Sequence, residues 1–284
     1  MTKPRIDSFK FREIKFHLLR DDLLGEFNGN KARKLEYFFD LDLSGITNVV
    51  SYGSSQSNAM YSLSVFAKLK GLKFKYVVNH LNSNLKANPV GNLKFALENG
   101  MELFESGKSV SREEFALNLC DKNSLFIKEG VAMKEAEQGF KTQARQIENL
   151  TNGQKFDIFL PSGTGASAGY LAKHLKFKVF SCACVGDSSY LKKQLKELGL
   201  GQNLTILNPP KKYHFGALKT ELFEIYKELL DETGIEFDLI YDTVGFLTLF
   251  ANLKEFKNDI LYIHQGGILG NISQLKRYRY KGIG

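Results

Sequence analysis

Short apolar runs alternate with helix-length amphipathic segments along almost the whole chain, and this alternation constrains the fold more than any other feature. Strand-like runs are expected at Ile46 to Tyr52, Phe74 to Val78, Met101 to Phe104, Leu125 to Ile127, Phe156 to Leu160, Val179 to Val185, Phe237 to Tyr241 and Ile260 to Ile263. Between them, helical spacing predicts helices over Ala59 to Leu69, Leu93 to Glu98, Glu113 to Leu119, Met133 to Leu150, a segment ending at His174, one through Lys192 and Leu195, and Leu218 to Leu230. Buried strands separated by helices imply parallel sheets in an open α/β architecture. At 284 residues the chain is long enough for two such units.

Composition narrows the class. Hydrophobic residues make up 43% and charged residues 25%, a globular balance. No apolar run reaches membrane-span length, and the first residues lack the apolar core of a signal peptide, so a cytoplasmic protein without membrane partners is expected. Cys120, Cys182 and Cys184 cannot close a disulfide framework, and no second Cys/His pair stands at finger spacing, so buried free thiols and no metal are expected. The net charge of +8 is spread along the chain except for Lys276-Arg277-Tyr278-Arg279-Tyr280-Lys281, which reads as a solvated helix or tail rather than a nucleic-acid surface.

Four segments carry chemistry. In Asn28-Gly29-Asn30-Lys31-Ala32-Arg33-Lys34-Leu35-Glu36-Tyr37 a lysine follows a Gly/Asn turn on the first turn of a helix, with Asn30 as expected N-cap and Leu35, Phe38 and Phe39 as the apolar face. The positive helix end and the neighbouring Arg33 and Lys34 should favour the neutral Lys31 amine, the form that attacks a carbonyl. The second segment, Ser51 to Asn58, places hydroxyls, amides and free N–H groups at a strand-to-helix turn and suits a carboxylate or phosphate; the same residues also serve as a cap through Ser57 or Asn58. Ser57 stands where a nucleophile elbow needs its second glycine, which excludes that motif.

The third segment is Pro161 to Gly169, where Gly163 and Gly165 let the backbone curl round a phosphate and Thr164 and Ser167 offer hydroxyls. It lacks a Walker lysine. Its Gly163-x-Gly165-x-x-x-Gly169 spacing, with Asp187 after the next strand, leaves a nicotinamide-dependent oxidoreductase as an alternative. The fourth is Ile263-His264-Gln265-Gly266-Gly267, where glycines admit a planar ring and Gln265 is placed to hydrogen-bond a ring nitrogen.

These motifs, together with Arg20-Asp21-Asp22-Leu23, resemble the pyridoxal-phosphate enzymes of the 1-aminocyclopropane-1-carboxylate deaminase and D-cysteine desulfhydrase family, in order and spacing from near residue 20 to near residue 270. The resemblance implies a fold-type-II enzyme, tryptophan-synthase-β-like, with the cofactor between a large domain (1–45 and 152–284) and a small one (46–151), and a homodimer. It implies that Lys31 holds pyridoxal 5'-phosphate as a Schiff base. Gly163, Thr164, Gly165, Ala166 and Ser167 would cradle its phosphate, and Asn58 would contact its phenolic oxygen. Ser57, with Gln56 and Asn58, would meet the substrate carboxylate, and Tyr213 would contact the substrate. The implied reaction is elimination and deamination of a small amino acid to a keto acid and ammonia. Deaminases carry a tyrosine after Asp-Pro-Val and then a glutamate at the pyridine nitrogen. Here Asp242-Thr243-Val244-Gly245-Phe246 has neither, and Phe215 falls at the other tyrosine position, so β-elimination from D-cysteine or a related amino acid fits better than ring opening. A family member without catalysis, binding pyridoxal phosphate or RNA, is the remaining alternative.

Overall fold

The computed structural model describes residues 3–27 and 29–284; Asn28, the first residue of the lysine motif, lies outside the described residues, as do Met1 and Thr2. Two sheets organise the chain. The larger runs β1-β2-β10-β7-β8-β9, from β1 (Ile6–Phe11), β2 (Ile14–Arg20), β7 (Phe156–Ser162), β8 (Lys178–Ala183), β9 (Leu204–Leu207) and β10 (Asp259–His264). It is parallel except for the β1/β2 hairpin at its edge. The smaller sheet runs β5-β4-β3-β6 and is wholly parallel, from β3 (Asn48–Tyr52), β4 (Lys73–Val78), β5 (Met101–Glu105) and β6 (Ser124–Ile127).

The helices are α1 (Lys31–Asp40), α2 (Asn58–Leu69), α3 (Ser83–Ala87), α4 (Gly91–Glu98), α5 (Arg112–Asn118), α6 (Glu137–Thr151), α7 (Ala166–His174), α8 (Ser188–Glu197), α9 (Thr220–Thr233), α10 (Asp242–Ala251) and α11 (Leu269–Tyr280). Local chemistry marks their ends. Ser57, Asn82, Ser111 and Asp187 cap α2, α3, α5 and α8 through side-chain oxygens, while left-handed Asn152 and Gly234 stop α6 and α9. Among the described residues no helix is long and apolar enough to cross a membrane.

One face of the large sheet buries an aromatic cluster including Phe11, Phe16, Phe246 and Tyr262. The other packs Ile158, Leu160, Val179, Leu261 and Ile263 against α6 and α7. Two helices cross the division expected from the sequence. Helix α1 buries Leu35 and Phe38 with Val49, Met60 and Phe66 of the small unit, whereas α6 buries Ala144 and Ile147 on the large sheet. The three cysteines are free thiols, two of them buried.

The expected strand at Phe237 to Tyr241 is instead a turn. One oxygen of Asp238 accepts the N–H groups of Ile240 and Tyr241, both at 2.7 Å; Asp242 accepts that of Asp238 at 2.9 Å and Asn271 that of Leu239 at 2.8 Å. Side chains thus take the bonds that a neighbouring strand would have made. The β1/β2 hairpin has no counterpart in the sequence reading, because its turn residues are Arg12 (φ +46°) and Glu13 (φ +64°) rather than the Asn-Gly pair that announces such a turn. Strand β9 and helix α10 are likewise additions, while α11 takes in most of the basic run Lys276–Lys281 read as a solvated helix or tail and extends it back to Leu269.

Candidate active site

The C-terminal ends of β3, β7 and β10 open onto one cleft of about 1050 Å³ between the two sheets, where open parallel sheets bind their ligands. It is lined by Lys31, Gln56, Ser57, Asn58, Gly163, Thr164, Gly165, Ser167 and Gln265, so the four motifs converge.

Lys31 reaches the cleft because the chain before it is pressed flat on the end of β10. Gly29 sits at φ +60°, and a methyl group there would lie 1.7 Å from the Gln265 carbonyl oxygen. Asn30 N–H donates to that oxygen at 2.8 Å. The Asn30 side chain caps nothing; its amide donates to Ser167 Oγ (2.9 Å) and Gln265 Oε1 (2.8 Å), and its oxygen accepts from Lys31 Nζ (2.7 Å). Burial lowers the Lys31 pKa to about 8, opposed by the Asp238 carboxylate. Lys34 is buried, donates to the Gly130 carbonyl at 2.7 Å and is pushed well below the ordinary lysine range, first by burial and then by Lys31.

Arg33 acts differently from the sequence expectation. It is fully buried and bidentate on Asp21, at 2.8 and 3.2 Å, with Gln143 completing the carboxylate's shell at 2.7 Å. Its charge is neutralised in place. Asp21 and Arg33, from two of the recognised runs, fasten α1 to the end of β2.

At the second motif, Ser57 Oγ accepts the N–H groups of Ala59 (3.1 Å) and Met60 (3.4 Å), so it is both helix cap and cleft wall. Asn92 holds this turn: its fully buried amide donates to the Gln56 carbonyl (3.0 Å) and to Asn58 Oδ1 (2.7 Å). Gln56 donates to the Val90 carbonyl at 3.0 Å.

The Gly-rich loop enters α7 through Gly165 at φ +79°, where a methyl group would lie 2.7 Å from Leu191. A methyl on Gly163 would lie 3.2 Å from the Tyr241 hydroxyl. Ala166 is not among the residues lining the cleft, its side chain being buried with Phe140 and Tyr170. Two expected contacts are placed elsewhere. Tyr213 is packed in the aromatic core, and Phe215 lines the cleft instead, edge-on to Tyr241 at 5.6 Å. Gln265 lines the cleft, but its amide is committed to the Pro161 carbonyl (2.7 Å) and Asn30. Asp187 caps α8 through the Tyr190 N–H at 2.9 Å, which occupies the group the dinucleotide alternative needed.

The sequence reading missed Asn92, Asp238 and Tyr241, all near or lining the cleft. Asp238 is 2% exposed and raised by burial to about 6, partly offset by the two N–H groups it accepts and by Lys31. Among the described residues no group of His, Cys, Asp or Glu is placed to hold a metal.

No protein-family model matches the chain. A Thermotoga maritima protein that carries the provisional name 1-aminocyclopropane-1-carboxylate deaminase is 26% identical over 292 aligned positions, covering 92% of this chain and 91% of that protein. A crystal structure described as an ACC deaminase homologue superposes with TM-score 0.81 at 22% identity, covering 99% of this chain and 94% of the other. A pyridoxal 5'-phosphate-dependent aspartate racemase superposes with TM-score 0.66 at 14% identity, covering 94% and 90%. The architecture is fold type II. The resemblance read from the motifs to the 1-aminocyclopropane-1-carboxylate deaminases therefore extends along the whole fold.

The fold-type-II cleft of this chain also fits the cofactor on its own chemistry. It combines a half-buried amine of lowered pKa with a loop whose glycines bring backbone N–H groups to the open start of α7, a site suited to a phosphate.

Proposed function

We propose that this chain is a pyridoxal-phosphate-dependent enzyme that eliminates the β-substituent of a small amino acid and deaminates the remainder with uptake of water, releasing the substituent (hydrogen sulfide from cysteine), a keto acid and ammonia. The observation that carries the reading is the meeting, in one cleft, of the Lys31 amine, the Gly163–Ser167 loop and the Ser54–Asn58 turn. Lys31 would hold the cofactor covalently, and Gly163, Thr164, Gly165, Ala166 and Ser167 would hold its phosphate. Asn58, oriented by Asn92, would donate to its phenolic oxygen. When bound, the cofactor supplies a conjugated ring that stabilises negative charge on the substrate α-carbon.

The protein's part is binding and proton transfer. Ser57 Oγ accepts from two backbone N–H groups and also hydrogen-bonds the buried Tyr76 side chain; its proton would turn to the substrate carboxylate when one binds. The Lys31 amine, which burial brings to a pKa of about 8, would in its neutral form take a proton at the substrate Cα and return it at Cα or Cβ. Position 245 supports elimination over ring opening. The deaminase tyrosine is replaced there by a glycine, where a methyl group would lie 2.8 Å from the buried Tyr262 hydroxyl and 3.3 Å from Pro161, so the position is packed too tightly for a tyrosine. D-cysteine or a related β-substituted amino acid is accordingly the preferred substrate of this reading.

The test is the near-visible absorption of the full chain with pyridoxal phosphate, before and after D-cysteine, L-cysteine and 1-aminocyclopropane-1-carboxylate are added separately. The expected outcome is a visible band that Lys31→Ala abolishes and keto acid released fastest from D-cysteine. A colourless chain, or a band that persists in Lys31→Ala, would overturn the assignment. The rate of covalent attachment should also rise with pH up to about 8 and then level. The neutral amine is the attacking form, so each unit below about 8 cuts its fraction, and the rate, roughly tenfold.

A further inference from the structure

The two glycines of the Gly-rich loop answer different needs. Gly165 is required by its backbone, at φ +79°. Gly163 has no positive φ, so backbone strain does not call for glycine there. Space does. A methyl group at 163 would lie 3.2 Å from the Tyr241 hydroxyl and 3.3 Å from Cε1 of the same ring. The missing side chain lets a phenol come directly against the loop. We propose that Tyr241 is a further phosphate-binding residue, its hydroxyl donating to the anion held by the Gly163–Ser167 loop. The inference rests on the pyridoxal-phosphate reading for the identity of that anion, and one arm of its test needs no cofactor.

The hydroxyl is available, whereas those of other buried tyrosines are spent. Tyr76, Tyr170, Tyr226, Tyr262 and Tyr278 each donate to a protein oxygen. Tyr241 lines the cleft, and among the described residues its hydroxyl has no hydrogen-bond partner. A phenol packed this closely ordinarily finds one.

The residue is also held in place. Its N–H donates to Asp238 Oδ1 at 2.7 Å, and its carbonyl accepts from the Gly245 N–H at 2.9 Å and the Cys184 thiol at 3.7 Å. Its ring stands between the loop and Phe215, whose centroid is 5.6 Å away. The hydroxyl is thus presented to the cleft at little further cost in rotamer freedom. Burial, and then the Asp238 charge, raise its pKa, so the phenol keeps its proton and can donate it in a hydrogen bond.

The neighbours of the hydroxyl indicate an oxyanion with several acceptor oxygens. Gly163 leads into the open N–H groups at the start of α7. Thr164 and Ser167 add hydroxyls on the cleft wall, and Ser167 Oγ already accepts from the Asn30 amide at 2.9 Å, which leaves its own proton for a ligand. The Ser54–Asn58 turn, to which the substrate carboxylate is assigned, follows β3 in the other sheet.

The experiment titrates the full chain, as wild type and as Tyr241→Phe, with pyridoxal phosphate, pyridoxal and inorganic phosphate by calorimetry. Phenylalanine keeps the ring against Phe215 and Gly163 and removes only the hydroxyl. Loss of one hydrogen bond to a charged group should weaken pyridoxal phosphate and inorganic phosphate about tenfold or more, with pyridoxal within about twofold of wild type. Unchanged affinity for both phosphate compounds would overturn the proposal. An equal loss for pyridoxal would also overturn it, since the hydroxyl would then be supporting the cleft as a whole. So would a raised KM for the amino acid at unchanged pyridoxal phosphate affinity, which would give the hydroxyl to the substrate. A wild-type chain that bound neither phosphate compound would sink this inference and the cofactor reading together. One that bound inorganic phosphate through Tyr241 but took no pyridoxal phosphate would sink the cofactor reading alone.

Discussion

The two walls of the cleft solve the same problem with different materials. On the large-sheet side the polar groups are mostly backbone: the Gly163–Gly165 loop, the start of α7 and the Gln265 carbonyl beneath Gly29. On the small-sheet side they are side chains: Ser57 capping α2, Gln56 tied to Val90, and Asn92 gripping Gln56 and Asn58. Backbone donors are fixed at no rotamer cost but need glycine wherever a Cβ would intrude. Side-chain donors tolerate an ordinary backbone but need a second layer to orient them. The first wall should therefore break at its glycines and the second at its supporting amide.

The largest effect is expected on the backbone wall. Gly29→Ala puts a methyl 1.7 Å from the Gln265 oxygen at φ +60°, a contact that no side-chain motion can relieve. Urea unfolding should show a loss of more than about 4 kcal/mol, or no folded protein at all. On the other wall, Asn92→Ala leaves the buried Gln56 carbonyl and Asn58 oxygen without that donor. It should cost about 2 kcal/mol and weaken pyridoxal phosphate binding in a titration.

Gly165→Ala should be milder than Gly29→Ala, at about 1–2 kcal/mol, because the methyl meets the movable ends of Leu191 and Leu195 and the main cost is the φ of +79°. Its sharper effect should be on affinity for the cofactor phosphate. Ser57→Ala is expected to be the smallest, about 1 kcal/mol from the lost cap. It should raise KM for the amino acid while leaving cofactor affinity near wild type; an equal loss of both would merge the roles assigned to the two walls.

The same contrast explains what the sequence made legible. Glycines and apolar periodicity are local signals, so the strands, the Gly-rich loop and the lysine turn were readable, and the residues they predicted mostly line one cleft. Asn92 carries no local signal; it matters because α4 brings it to the turn before α2. Asp238 looked like part of a strand because Phe237, Leu239 and Ile240 are apolar, whereas its own carboxylate folds that segment into a turn. Arg33 looked like a charge pressing on Lys31, but its partner Asp21 lies in a different element and cancels it. Lys31 is instead tuned by burial and by a residue more than two hundred positions away. The cap assigned to Asn30 failed for a related reason: its amide is drawn off by Ser167 and Gln265. Proximity in space, not along the chain, decided each of these.

Helix α1 is pinned at its beginning to the ends of β7 and β10 through Gly29, Asn30 and Gln265, yet its Leu35 and Phe38 are buried in the small unit. It works as an axle with one end set in each half. Were the two halves to rotate about each other when the cleft closes on its contents, the residue with the shortest arc to travel would be the one nearest the fixed end. That residue is Lys31, so its amine can stay in register while the walls around it move.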